Sequence, residues 1–273
     1  MRRRSTKNTM DIKVLVVAHK NYRMPKDDMY MPIQVGNADE TFNGYLRDNT
    51  GDNIADTNSR LCELTAIYWA WKNLKTDYIG LTHYRRHFTK VSRFGRIGKD
   101  KFDLVLTKSE LQKELEKDVV IVPNKRKYYI ETMESHFLHL PYTFEKDYRV
   151  LRQVIAEKSP EYIEAYDKVM NRTWAHMFNM FVMKWDWFDQ YCSWLFPIIF
   201  ECDKRIDVTG YNYAEARAVA YFGEFMLDIW MEKNGIGYKE LDVMFMEKQN
   251  WFKKGGAFVM RKIIPEKNEK HTL

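Results

Sequence analysis

Very little in this sequence can staple, hinge or anchor a chain: 3 cysteines, 7 prolines and 12 glycines stand among 273 residues. Cys62, Cys192 and Cys202 are odd in number and lack metal-type spacing. They indicate neither a disulfide framework nor a zinc site, and are expected to be buried apolar residues in a reducing compartment. No run of about 18 apolar residues occurs, so no membrane-spanning helix is expected. The first apolar run, residues 12–18, is short and contains Lys13, which predicts a strand and not a signal peptide. Low-complexity tracts, internal repeats and Pro- or Gly-rich linkers are missing, which favours one domain. There is no Gly-x-Gly-x-x-Gly after the first strand, no Gly-Lys-Ser/Thr loop, no Gly-x-Ser-x-Gly elbow and no His-Glu-x-x-His. Those absences argue against a dehydrogenase, a kinase, a serine hydrolase and a zinc protease.

What is present is 45% hydrophobic and 30% charged, the balance of a soluble globular protein. The net charge of +6 is unevenly placed. Arg2, Arg3, Arg4 and Lys7 make residues 1–10 a basic extension, and seven basic against two acidic residues make 248–273 a basic tail. The body between them, 11–247, is net negative, which argues against a nucleic-acid binder. The tail mixes Lys and Arg with Trp251, Phe252, Phe258, Ile263 and Ile264. That mixture suits an anionic lipid surface, with a solvated tail as the alternative.

Periodicity predicts strands at 12–18, 77–83, 102–107, 119–122, 178–183 and 241–246. It predicts helices from an Asn58 or Ser59 cap to about Leu74, between residues 107 and 119, over 143–171 with a break near Pro160, over 185–202 with a kink near Pro197, and over 214–233. Residues 23–57 are expected to be mainly loop, rich in Asp, Asn and Gly. Alternating strands and helices, giving way to helices, predict an α/β fold: a mostly parallel sheet flanked by helices, with a helix-rich C-terminal half.

The segment from Asp77 to His87 ends an apolar run in His83, Tyr84, Arg85, Arg86 and His87. Ligands of open α/β sheets sit outside the carboxyl ends of strands, and the Arg fork matches phosphate, so an anionic ligand is expected there. His19 and Lys20 end the first strand in the same way. Arg217, Tyr221, Glu224 and Asp228 share one face of the 214–233 helix. Glu224 is a candidate general base, with an Arg217–Glu224 structural pair as the alternative. Gly223 permits a close approach of backbone or ligand. Trp69, Trp71, Trp174, Trp185, Trp187 and Trp194 could stack on sugars or fill a core. Asp27, Asp28 and the acids from Asp48 to Asp56 could hold a metal, but turn chemistry explains them equally. Where a metal-holding carboxylate pair would stand, the chain has His83 and Arg85, whose fixed positive charge could neutralise a leaving diphosphate.

Several stretches carry a resemblance: Pro32-Ile-Gln-Val-Gly36, Asp52-Asn-Ile54, Cys62-Glu-Leu-Thr-Ala-Ile-Tyr-Trp-Ala-Trp-Lys-Asn73, Gly80-Leu-Thr-His-Tyr-Arg-Arg86, His176-Met-Phe-Asn-Met-Phe-Val-Met183 and Arg217 through Glu224. Over about residues 12–235 the chain resembles a bacterial domain-of-unknown-function family of capsular polysaccharide, exopolysaccharide and lipopolysaccharide synthesis proteins, regarded as glycosyltransferases. It departs from that pattern at Ala216, where a Gln is usual, and after Glu224, where Phe225-Met226 replaces Arg-Leu. The resemblance implies a GT-A-like nucleotide-diphosphosugar fold in which Ala18, His19 and Lys20 meet base and ribose. His83, Tyr84, Arg85 and Arg86 then meet the diphosphate in place of an Asp-x-Asp pair. Asp52, Asn53, Asn179 and Arg217 are implied in nucleotide-sugar binding, and Glu224 as the base. Catalysis is expected from Glu224, His83, Arg85 and Arg86 without a metal, with manganese or magnesium as the alternative. The implied reaction is inverting transfer of a hexose, galactose in pyranose or furanose form, from a UDP-sugar to a lipid-linked oligosaccharide. Its place would be the cytoplasm, at the inner face of the membrane. A non-catalytic nucleotide-sugar or glycan binder of the same fold is the alternative.

Overall fold

The structure, a computed structural model, describes residues 10–92 and 94–247. The charged residues of the basic extension and the whole 248–273 tail lie outside the described residues. Among these, ten strands occur: β1 Ile12–Ala18, β2 Tyr30–Gln34, β3 Leu46–Arg47, β4 Tyr78–His83, β5 Arg86–Thr89, β6 Val120–Pro123, β7 Arg126–Lys127, β8 Trp174–Ala175, β9 Phe181–Lys184 and β10 Tyr238–Phe245. The α-helices are α1 Asn58–Leu61, α2 Leu64–Asn73, α3 Lys108–Leu115, α4 Met133–Leu138, α5 Glu145–Lys158, α6 Ile163–Met170, α7 Trp185–Arg205 and α8 Ala218–Asn234. No helix among the described residues is long and apolar enough to cross a membrane.

The main sheet runs β3-β2-β1-β4-β5-β10-β6-β9, with a second pairing of β4 to β9. β3, β2, β1 and β4 are mutually parallel, and so are β10 and β6. The remaining pairings are antiparallel, which corrects the expectation of a mostly parallel sheet to a mixed one. The cause is local. Only Tyr84 and Arg85 join β4 to β5, and so short a connection can join only antiparallel strands. One edge of β4 then serves two partners, β9 along Tyr78–Leu81 and β5 at His83. The pairings β4–β5–β10–β6–β9–β4 close a circuit. Gly80 makes the β9 approach possible: a Cβ there would lie 2.8 Å from Val182 Cγ2 and 2.9 Å from the Phe181 carbonyl oxygen.

Alternation along β1 divides the interior. Ile12, Val14, Val16 and Ala18 face a core with Tyr84, Phe88, Leu111 and Leu115. Leu15 and Val17 face a larger core built with α2, α5, α7 and α8. Phe222, Phe225, Met226, Ile229 and Trp230 lock α8 into that second core, each fully buried large side chain contributing roughly 1.5–3 kcal/mol. Trp69 and Trp185 are buried there, and Trp71 stacks on Phe196, so these rings fill the core.

Three further expectations are corrected. Residues 102–107 form no strand: Lys101–Leu104 is a 3-10 turn capped by Asp100, and Thr107 opens α3 through a capping box with Glu110. The helix expected from residue 58 to 74 is broken at Cys62, whose φ is +50°. The supposed loop contains β2 and β3. Pro32 is tolerated inside β2 because Val35 N–H donates to the Ala18 carbonyl, so odd positions face β1 and Pro32 faces the edge where β3 pairs only with Ile33 and Gln34. As expected, one helix carries Pro197 inside it, α7 from Trp185 to Arg205.

Candidate active site

Parallel pairing aligns Val17 of β1 with His83 of β4, so the residues that follow both strands meet above the same edge of the sheet. Tyr84 is buried there, its ring packed edge-on against His19 at 5.2 Å and Tyr22 at 5.0 Å, with its hydroxyl 3.3 Å from His19 Nε2. Lys20 lies 5.3 Å above the Tyr84 ring and Arg85 5.0 Å from it. Lys20 and Arg85 both reach Glu247, each at 3.6 Å. Arg86 turns the other way, 4.5 Å over the Phe178 ring. Burial, then the charges of Arg85, Lys20 and Arg217, push His19 below its ordinary value. One wall of the cleft is therefore cationic and aromatic.

His83 has a task that its sequence context did not reveal. Its Nε2 lies 2.7 Å from the Phe178 carbonyl oxygen, which only accepts, so Nε2 carries the proton and donates. Burial pushes its pKa down, so His83 is a neutral positioning group and the positive charge comes from the arginines. His87, expected in the cleft, is fully buried on β5 beside Tyr30 and Phe102. Burial lowers its pKa to about 3. Strand alternation, which puts Arg86 and His87 on opposite faces, is the reason.

The opposite wall is α8. Glu224 accepts the Phe178 N–H. One helical turn further, Asp228 accepts the His176 N–H at 2.9 Å and bonds the His176 ring. Four helical residues rise about 6.0 Å and two extended residues about 6.6 Å, so two carboxylates at i and i+4 can hold alternate N–H groups of one extended segment. Burial and the neighbouring Glu63 carboxylate push Glu224 up to about 7, against the Phe178 N–H, Arg86 and Arg126. Arg217 does not pair with Glu224. Its Nε donates to Cys62 Sγ at 2.7 Å, and its guanidinium lies between Tyr213 and Tyr221, at 5.7 and 5.8 Å. Burial holds the Cys62 thiol up at about 11.

Asn179 is buried in the floor, its Nδ2 donating to Glu63 Oε1 at 2.7 Å. Gly223 allows this: a Cβ there would stand 3.0 Å from Leu64 Cδ2 and 3.2 Å from Asn179 Nδ2. Ala18 is buried with its carbonyl occupied by Val35 N–H. Asp52 and Asn53 are not brought to the cleft. Asp52 accepts the Tyr68 hydroxyl and donates its N–H to Asn73 Oδ1 at the far end of α2, and Asn53 closes its own turn with Gly51 and Ala55. Two residues of the cleft were missed. Glu63 had a signal, an acid opening an otherwise apolar helix, which needs a partner or a task. Arg126, exposed but felt by Glu224, had none. Among the described residues, no three His, Cys, Asp or Glu side chains are grouped to hold a metal ion.

Residues 13–235 match the family described as Domain of unknown function (DUF4422). Nothing among the curated proteins matches. The apo structure of WbbM, a bifunctional glycosyltransferase, is similar at 27% sequence identity and a TM-score of 0.80, over 87% of this chain and 46% of that one. The chain thus spans a little under half the length of that protein.

Proposed function

We propose that this chain, which belongs to the DUF4422 family, is a glycosyltransferase of surface polysaccharide synthesis. The likeness to a glycosyltransferase in both sequence and fold supports the class. The observation that carries it to chemistry is the placement of a carboxylate and a cationic turn against one residue, Phe178, beside the carboxyl ends of β1 and β4. A nucleoside diphosphate fits the cationic wall: Tyr22 and His19 offer ring faces and edges to the base, and Lys20, Arg85 and Arg86 meet the phosphates.

Glu224 removes the proton from an acceptor hydroxyl, and the freed oxygen attacks the anomeric carbon. The glycosidic bond forms as the carbon–oxygen bond to the diphosphate breaks, and the nucleoside diphosphate leaves with the electron pair. Arg85 and Arg86 stabilise that charge, a preorganised effect of about 3–4 kcal/mol for one well-placed donor. A single displacement of this kind inverts the anomeric centre. The donor is a UDP-hexose and the acceptor a lipid-linked glycan at the inner face of the membrane, a setting that gives the basic ends an anionic surface to meet.

Thermal unfolding against a panel of nucleoside diphosphates and nucleotide sugars tests this, in EDTA and with manganese or magnesium. A ligand at 100 times its Kd adds about 2.7 kcal/mol of stability. Stabilisation by one nucleoside diphosphate in EDTA is expected. A response only with metal would move the phosphate charge from the arginines to a cation. A protein that responds to none of them would be a glycan binder or scaffold.

A further inference from the structure

We propose that Glu63 is the positioning partner of Glu224. Consecutive residues Phe178 and Asn179 hold the two carboxylates against one turn of backbone, and the negative charge of Glu63 strengthens Glu224 as proton acceptor. The inference rests on the transferase reading for its role in catalysis, and on geometry for the pair itself.

Four observations converge. The two carboxylates are tethered to adjacent residues, Glu224 by the Phe178 N–H and Glu63 by the Asn179 side chain. Their chain neighbours touch as well, since Gly223 sits against Leu64 and Asn179. Phe178, Asn179 and Cys62 all have left-handed backbones, with φ of +86°, +49° and +50°. A non-glycine residue costs about 1–3 kcal/mol there, and such strain gathers at functional sites. Finally, the break at Cys62 makes Glu63 the first residue flanking α2, where the helix's free N–H groups are open to a side-chain cap. Glu63 makes no such cap. Its carboxylate is turned to Asn179 and the cleft.

The groups facing Glu224 come from every element around it. Glu63 and Cys62 lie at the α1–α2 junction, Arg86 on β5, Arg126 on β7, Tyr128 just after β7 and Tyr221 on α8 itself, while His83 of β4 holds the carbonyl of the same Phe178. His83 is neutral, and Arg86 and Arg126 oppose Glu63. The carboxylate of Glu63 is thus the neighbour that favours a proton on Glu224.

Carbon-13 NMR of glutamate side-chain carboxyls, followed against pH, tests the pair without a substrate. One resonance, absent in Glu224→Gln, is expected to titrate near 7. In Glu63→Gln its midpoint should fall by about one pH unit or more. Asn179→Gly keeps the left-handed backbone and removes the tether, and should move the midpoint the same way. An unmoved midpoint in Glu63→Gln, or in Asn179→Gly if Glu63→Gln does not fold, overturns the proposal. Once a donor and acceptor are known, the acidic limb of the kcat/KM profile should shift with the midpoint. A moved midpoint in a protein that transfers no sugar would sink the transferase reading and leave the pair standing. Transfer with an unmoved midpoint would do the reverse.

Discussion

The two walls of the cleft are built on opposite plans. The cationic wall comes from the ends of β1 and β4 and one tight turn, with Lys20, Arg85 and Arg86 partly open to solvent. The acidic wall is assembled from residues far apart, Glu63, Phe178, Asn179 and Glu224, and each is held by another. Solvated cations need only be near an anionic ligand to attract it. A carboxylate that must accept one particular proton has to be desolvated and fixed. On the proposed reading, the wall that binds is simple and the wall that reacts is clamped.

That contrast can be broken in several ways. Glu224→Gln should have the largest effect, lowering turnover by about 10²–10⁴-fold while donor affinity stays close to wild type, since it removes proton transfer and not binding. Single-turnover rates beside donor titrations would check this. If affinity fell as far as turnover, the acidic wall would be a binding wall too. Arg86→Ala is next, expected to lower kcat/KM by about 10²–10³-fold. If Lys fully rescued it, a point charge would suffice and the placement over Phe178 would be incidental. Gly223→Ala should destabilise the fold by about 1–2 kcal/mol: overpacking against Leu64 and Asn179 costs about 1–3 kcal/mol, against up to about 1 kcal/mol gained in helix propensity. Urea unfolding measures it. The same variant should disturb the NMR titration of Glu224, because its Cβ presses on Asn179.

A smaller effect follows from the sign of the Glu224 shift. A carboxyl that holds its proton more tightly folded than unfolded stabilises the protein below its unfolded value, and loses that contribution as pH rises through about 7. Glu224→Gln should therefore gain in Tm relative to wild type at pH 8, and not at pH 4. The smallest effect is expected from Asp52→Asn, within about 0.5 kcal/mol on stability and without change in donor affinity. A clear loss of affinity would extend the nucleotide site down α2.

The cationic wall was legible because its two short segments, His19–Lys20 and His83–Arg86, each stand where a buried run ends. β1, β4, α7 and α8 were legible for the same local reason, a sustained period. Failures came where tertiary pairing overrides local pattern. β2 carries Pro32, which local rules count against a strand. The apolar residues from Phe102 to Leu106 look like a strand, yet Thr107 and Glu110 already mark a helix start that should have limited it. β5 was hidden because Arg86 and His87 were read as one cluster, though alternation sends them to opposite faces. The acidic wall was half legible. Glu224 stood out on its helix, and Gly223 correctly signalled close approach. No local pattern shows that Glu63, 116 residues before Asn179, is its partner.

β10 has a consequence for how the molecule is made. It is the last described strand, yet it lies inside the sheet between β5 and β6, and its end reaches the cationic turn through Met246 N–H to the Arg85 carbonyl. The family match stops at residue 235, three residues before β10 begins. Until residues 238–245 have left the ribosome, β5 and β6 each keep an unpaired edge, and an open edge invites pairing with other chains. Closing the sheet and completing the cleft are then one event, which waits on residues 238–245. A product cut short before Tyr238 would be an aggregation hazard.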